Sequence, residues 1–472
     1  MRSGQSPSGL KYAVRQSGRS VAYCALSIGC GTAQEAGFPS GIAHFVEHTL
    51  FRGTRRKKAS AINGYLDRLG GELNAYTTKE EIVLHATVLK EDLWKAVRLL
   101  FELALESTFP EDEIETERGV VLDEIISYKD NPAEDVYDKF EGLLFKGHPL
   151  EHPILGTTAS VKKIKSSHLR EFVKTFFTPE RMALTIVAGE DEAKLEKQAL
   201  RQIEKAFADA TNGQGNTFSS AKITNGEGKT LSSAKKIADA TERVFPSHIT
   251  TSPTSSASYI VDSSSSPLHS SVSSLPASCP TASSYPFTAV FHQVVDKRNH
   301  EVNAVVGGYG PSLYEMPDRM VAAMLVNILG GPASNSLLNS ELREKKGWVY
   351  GIECSYTQYA ETGVVAITFG CDRPNLEACM ATIEKILTRL RETPLSEARV
   401  KSYRKQLLGQ LAIGSEAGEA QCLSMGKSLL AWGNIMSQEQ VRACLEAIGP
   451  EDLRQMARRL FAPEKLSSLV YL

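Results

Sequence analysis

At 472 residues the chain exceeds what one hydrophobic core ordinarily organises, so two or more domains are expected. Its 42% hydrophobic and 23% charged residues are those of a globular protein, and a formal net charge of −2 argues against a general nucleic-acid binder. No apolar run approaches membrane-spanning length, and the eight cysteines are scattered without a C-x-x-C pair, as expected of buried thiols in a reducing compartment.

The first twenty residues combine arginine, lysine and serine with no acid, a composition shared with mitochondrial transit peptides. Residues 10–15 and 21–28, however, alternate like the two strands of a hairpin and run straight into Gly29-Cys30-Gly31-Thr32. The stretch therefore reads as structure, in a cytoplasmic protein, with the mitochondrial matrix as the alternative.

Next comes His44-Phe45-Val46-Glu47-His48, an H-x-x-E-H pattern that inverts the usual zinc-protease spacing. In a helix over 42–51, His44 and His48 stand one turn apart on one face and can hold one metal ion. Glu47 precedes His48 directly, and its carboxylate reaches the same side. Zinc with an open position needs such a neighbour as a proton acceptor. A core helix with two hydrogen-bonded histidines would show the same five residues, so the motif alone leaves both readings open.

The basic turn 52–58 reads as a solvated loop, and 59–69 as an amphipathic helix ending at Gly70-Gly71. Residues 72–78 and 82–89 form a strand pair, with His85 placed for a core or cross-strand role. A helix over 91–107 precedes another over 115–126, which carries Glu117 and Glu124 two turns apart on one face. A solvated acidic face would give the same spacing. Asn131-Pro132 ends that helix, and 147–156 is a loop whose His148 and His152, set among prolines, do not read as a second metal site. A helix over 166–177 and a strand over 182–188 close the first half.

Residues 212–286 are a different material. Ser and Thr dominate, and large apolar residues are too few to offset the entropy of ordering, so the composition predicts a mostly disordered linker with a short helix near 233–244. Beyond it, strands are expected at 289–295, 303–309, 350–357 and 363–369, and helices at 317–329, 374–391, 395–412 and 439–446. The run from Leu453 to Leu466 resembles that from Leu169 to Met182: a helix, a Phe-x-Pro-Glu turn and a terminal strand. This is an internal repeat of the whole domain. The division is 1–211, linker 212–286 and 287–472, and the second copy has no H-x-x-E-H.

The motif followed by an E-x6-E helix resembles the pitrilysin and mitochondrial-processing-peptidase family of inverted-motif zinc peptidases. The resemblance covers nearly all of the chain outside the linker. It implies an α+β fold of two homologous domains, each an antiparallel-rich sheet with packed helices. It also implies one zinc ion per chain on His44, His48 and Glu124, Glu47 as the catalytic base and Glu117 holding a ligand histidine. Asn74, Ala75 and Tyr76 match the family's edge strand, to which substrate adds as a further strand, and Phe51 would also meet substrate. Arg343 and Tyr350 match an R-x6-Y pair that faces the zinc across a cavity and suits a carbonyl becoming an alkoxide. The expected function is a zinc endopeptidase acting on peptides or unfolded segments. Because metal and donor pair lie in different halves, a homodimer with composite sites is expected, a hetero-oligomer being the variant of it. A non-catalytic partner subunit and a zinc hydrolase of a non-peptide substrate are the competing readings. Neither a nucleic acid nor a membrane is an expected partner.

Overall fold

The computed structural model describes residues 1–213 and 288–472. The Ser/Thr-rich linker and its expected short helix lie outside these residues, except that Asn212 and Gly213 end the last helix of the first half. No helix among the described residues is long and apolar enough to cross a membrane.

The first half builds strands β1 (Arg2–Gln5), β2 (Lys11–Gln16), β3 (Val21–Ile28), β4 (Glu72–Thr77), β5 (Ile82–Leu89) and β6 (Met182–Ala188) into one sheet, in the order β1-β2-β6-β3-β5-β4. Its helices are α1 (Ile42–Leu50), α2 (Ala59–Asp67), α3 (Leu93–Glu106), α4 (Glu111–Lys129), α5 (Pro132–Leu144), α6 (Thr158–Val161), α7 (Ser166–Phe176) and α8 (Glu192–Gly213). The second half builds β7 (His292–Val295), β8 (Val302–Gly310), β9 (Val349–Gln358), β10 (Gly363–Cys371) and β11 (Ser467–Tyr471) into a sheet ordered β7-β11-β8-β10-β9. Its helices are α9 (Asp318–Gly330), α10 (Leu376–Glu392), α11 (Glu397–Ser415), α12 (Gly418–Trp432), α13 (Gln438–Glu446) and α14 (Pro450–Leu460), with a π-helical turn at Asn339–Lys345.

The two sheets are copies. β6 runs parallel to β2 and antiparallel to β3, and β11 runs parallel to β7 and antiparallel to β8. Each central strand is delivered by the repeated sequence: a helix, a short 3-10 turn (Pro179–Arg181 or Pro463–Lys465), then the strand. By position, β4 and β9 are therefore equivalent edge strands. This is the expected two-domain α+β architecture.

The expected hairpin of 10–15 with 21–28 does not form. Both strands exist, but β6 lies between them. All seven β6 residues are buried, and a strand apolar on both faces belongs in the middle of a sheet. Adjacency in sequence gives way to the need to cover β6 on both sides.

The halves exchange equivalent helices. α12 of the second half lies on the outer face of the first sheet, where Cys422, Met425 and Leu429 pack on Ala13, Ala25, Val83, Ala183 and Val187. α5 of the first half lies on the second sheet, where Val136, Phe140 and Leu144 meet Val305, Val364, Ala366 and Leu469. Burying three such side chains stabilises each contact by roughly 5–9 kcal/mol. The approach of α12 is close: a Cβ on Gly418 would stand 2.4 Å from the Tyr23 ring, and one on Gly426 2.4 Å from Ser27 Oγ. Every described cysteine is unpaired, and all but Cys444 are buried.

Candidate metal centre

The site begins where β3 ends and the chain must turn into α1. Gly41, the residue before the helix, has φ of 87°, and a Cβ there would lie 2.8 Å from Gly156 Cα and Leu155 O. Only glycine suits that left-handed, crowded position. The start of the helix is held by Glu35, which is 2% exposed. Its carboxylate accepts from the N–H of Gly41 at 2.8 Å and of Ala43 at 3.0 Å, on the positive end of the helix dipole. Burial nevertheless pushes the Glu35 carboxyl up to about 8.

Ile42, Phe45, Val46 and Leu50 anchor α1 in the first core, so His44, Glu47 and His48 emerge on the face toward α4 and β4. α4 brings Glu124 across. Its Oε2 lies 3.6 Å from His44 Nε2 and 3.4 Å from His48 Nε2. That oxygen is buried without a hydrogen-bond partner. A tetrahedral zinc ion with bonds of about 2.0–2.2 Å spaces its ligand atoms roughly 3.3–3.6 Å apart, and the two Glu124–histidine separations fall in that range, with all three ligand atoms within 4.8 Å of one another. His44, His48 and Glu124 are also the one metal-competent group of three among the described residues. His148 and His152 do not form a second one.

Glu117 completes the support. It is 2% exposed, its Oε2 lies 3.0 Å from His48 Nδ1, and its other oxygen pairs with Arg52. The bond fixes the His48 ring with Nε2 toward the trio. Arg52 is thus no solvated turn residue. Arg56 and Lys57 are likewise ion-paired, to Glu106 and Glu102, so the turn at 52–58 keeps Arg55, Arg56 and Lys58 exposed as expected but is tied down by ion pairs. The cause is the acidic edge of α3 and α4, which the basic turn neutralises.

The carboxylates around the two histidines favour positive charge at this site. Burial, then the neighbouring His48, pull His44 down to about 3, so it is neutral with a lone pair to offer. Burial also opposes charge on His48, but the carboxylates of Glu117, Glu124 and Glu47 outweigh it and bring that imidazole up to about 10. Burial raises Glu124 as well, yet the nearby His48 and His44 leave it below its usual value. Glu47 does not join the trio. Its Oε2 accepts from the Thr77 hydroxyl at 2.7 Å, and burial holds its carboxyl above the ordinary range.

Among the described residues β4 is the last strand of its sheet and pairs with β5 alone. Asn74 is exposed, Ala75 packs on the first core and Tyr76 on the α12 side, so the strand alternates as a pleat must. Phe51, directly after α1, is partly buried against the same core. His85 behind β4 pairs with Glu419 of α12 at 3.0 Å, a cross-half contact and not a metal contact. Arg343, on the π-helical turn, is exposed, and Tyr350 on β9 is 60% exposed with its hydroxyl donating to Asp372 at 2.7 Å. Neither is hydrogen-bonded or ion-paired to the His44 cluster. Sequence reasoning missed Glu35, Arg52 and the Thr77 bond. Glu35 lies six residues before Gly41, outside any capping-box spacing, so no local rule reaches it.

Residues 11–158 match the family described as Insulinase (Peptidase family M16), and residues 163–407 match the Peptidase M16 inactive domain. An uncharacterized zinc protease of Rickettsia bellii is 26% identical over 430 residues, covering 91% of this chain and 87% of that protein. One of Bacillus subtilis is 25% identical over 443 residues, covering 94% and 91%. Among solved structures, a protease from Helicobacter pylori shares the fold with a TM-score of 0.75 at 18% identity, covering 100% of this chain and 98% of that one. A peptidase M16 inactive domain protein from Pseudomonas fluorescens gives 0.74 at 16% identity, covering 100% and 97%.

Proposed function

This chain belongs to the insulinase family of peptidases, M16, and we propose that it is a zinc-dependent endopeptidase of peptides or unfolded segments. The observation that carries the reading is the trio of His44, His48 and Glu124, with Glu47 beside it but tied to Thr77 instead. When bound, zinc supplies a Lewis acid that polarises the scissile carbonyl and acidifies water. Glu47 takes the proton from the attacking water and passes it to the leaving amine. Its raised affinity for a proton suits that shuttle. The free edge of β4 offers N–H and C=O partners to an extended peptide, and Thr77 joins that edge to the base. A non-peptide substrate would leave such an edge without purpose, and a non-catalytic subunit would have no need of an intact base.

Arg343 and Tyr350 enter this reading as donors to the site of a second copy. Their exposure and lack of contact with the cluster in their own chain support a homodimer with composite sites. Unpaired cysteines support a reducing, cytoplasmic location. The test is cleavage of a quenched peptide library with metal analysis. Wild type is expected to cleave and to lose activity to a chelator, and Glu47→Gln to bind zinc without cleaving. Wild-type protein that binds zinc and cleaves no peptide would refute the proposal.

A further inference from the structure

The β4–β5 turn and the β9–β10 turn hold equivalent places in the repeat, and the fold joins them to each other. Thr78 closes the first turn, its N–H donating to Glu81 O at 2.8 Å and its hydroxyl accepting from the N–H of Glu80 and Glu81 at 3.2 and 3.0 Å. Beside it Lys79 is 4% exposed. Its ammonium donates to Leu150 O and His152 O, both at 2.9 Å, and pairs with Glu141 Oε2 at 3.1 Å. The other Glu141 oxygen accepts from the Tyr359 hydroxyl at 2.5 Å, and Tyr359 opens the β9–β10 turn. The next residue, Ala360, donates its N–H to both oxygens of Glu80, at 2.9 and 3.1 Å.

Burying an ammonium and a carboxylate is costly unless every polar atom is matched, as it is for Lys79. A surface hairpin needs no such device. What sets this turn apart is the strand it carries: β4 has β5 on one side and no other described strand on the other, the situation in which strands fray. None of the joining residues is hydrogen-bonded or ion-paired to His44, Glu47, His48 or Glu124. We propose that Lys79 and Glu80 are positioning residues for β4. They hold its free edge in the register that a substrate peptide must meet, Glu80 directly on the second half of the same chain and Lys79 through Glu141 of α5, which Tyr359 binds. The inference rests on β4 being the peptide-pairing edge of the proposed peptidase.

Three mild variants test it. Glu80→Ala removes the acceptor for Ala360, Glu80→Gln keeps one, and Tyr359→Phe removes a single hydroxyl. Glu80→Ala and Tyr359→Phe are each expected to raise KM for an extended quenched peptide about five- to tenfold with kcat within about twofold, since a binding contact alone is weakened. Zinc content should stay at one per chain, and Glu80→Gln should return KM to near the wild-type value. Amide exchange over residues 72–77, read by mass spectrometry without substrate, should accelerate in Glu80→Ala and not in Glu80→Gln. Unchanged KM with unchanged exchange in Glu80→Ala overturns the inference. A loss of zinc with a fall in kcat overturns it too, by making the turn part of the metal site. If wild type cleaves no peptide, the proposed activity fails, while the exchange measurement still decides whether the second half anchors β4.

Discussion

The hydroxyl of Thr77, the last residue of the β4 edge strand, donates to Glu47 Oε2 at 2.7 Å. The strand proposed to pair with substrate and the base proposed to act on it are thus one hydrogen bond apart. Thr77→Val keeps the side-chain shape and removes the donor. It is expected to lower kcat about five- to tenfold with unchanged zinc content. Glu47→Gln should lose about 10²–10⁴ in kcat and also keep its zinc. Metal analysis of the purified variants beside initial rates checks both, and an empty site in Glu47→Gln would show that Glu47 is a ligand.

Glu117 makes its contribution through His48. Replacing it with Gln leaves Arg52 without its buried partner and weakens the hold on His48 Nδ1. Glu117→Gln should weaken zinc binding about 10–100-fold, while His44→Ala, His48→Ala and Glu124→Ala should lose the ion. Competition against a calibrated chelator measures this without any turnover. Wild-type affinity in Glu117→Gln would reduce Glu117 to a packing residue.

Glu35 gives a pH dependence with a definite sign. Burial raises its folded value from the ordinary 4.5 to about 8. The stability it contributes is then complete below pH 4.5 and is lost as pH rises toward 8, at up to about 1.4 kcal/mol per pH unit. Glu35→Gln cannot ionise, so the stability difference should move in the variant's favour between pH 5 and pH 8. Denaturant unfolding of both proteins at several pH values reads the slope. A constant difference, or one moving the other way, would mean that the two α1 N–H groups keep Glu35 ionised in the fold.

Strong local patterns made much of this legible in the sequence. The α1 motif, the β4–β5 pair, the E-x6-E helix and the repeat at Phe177 and Phe461 all rest on spacing within one element or between neighbours in the chain, and each is where the residues place it. Four helices were not legible: α5, the single turn α6, α8 and α12. α12 carries Gly418 and Gly426 at its points of close approach, and glycines read as breakers when nothing shows what they press against. α5 begins at Pro132, which reads as the end of the preceding helix although proline is favoured in a first turn. The placement of β6 between β2 and β3, the Glu35 cap and the Lys79 network depend on partners far along the chain, which no window of sequence brings together.

The expectation that joins the two halves is a division of labour between chains. The metal trio lies in the first half, while Arg343 and Tyr350 lie exposed in the second with no bond to it. In the proposed peptidase, a site that excludes water and clamps substrate from both sides would place these donors opposite the metal. α12 and α5 lock the halves of one chain to each other, so a single chain has little freedom to fold one onto the other. A two-fold pair of chains meets the requirement, with the first half of each copy facing the second half of the other. Glu47→Gln alone and Arg343→Ala/Tyr350→Phe alone should then both be nearly inactive. In a mixed dimer one site carries both lesions and the other carries none, so mixing the two inactive proteins should restore part of the activity. With random exchange of equal amounts, half of the dimers are mixed and each holds one intact site, so about a quarter of the wild-type rate should return. Native mass spectrometry establishes that subunits exchange. Exchange without recovered activity would place base and donors of each site in the same chain.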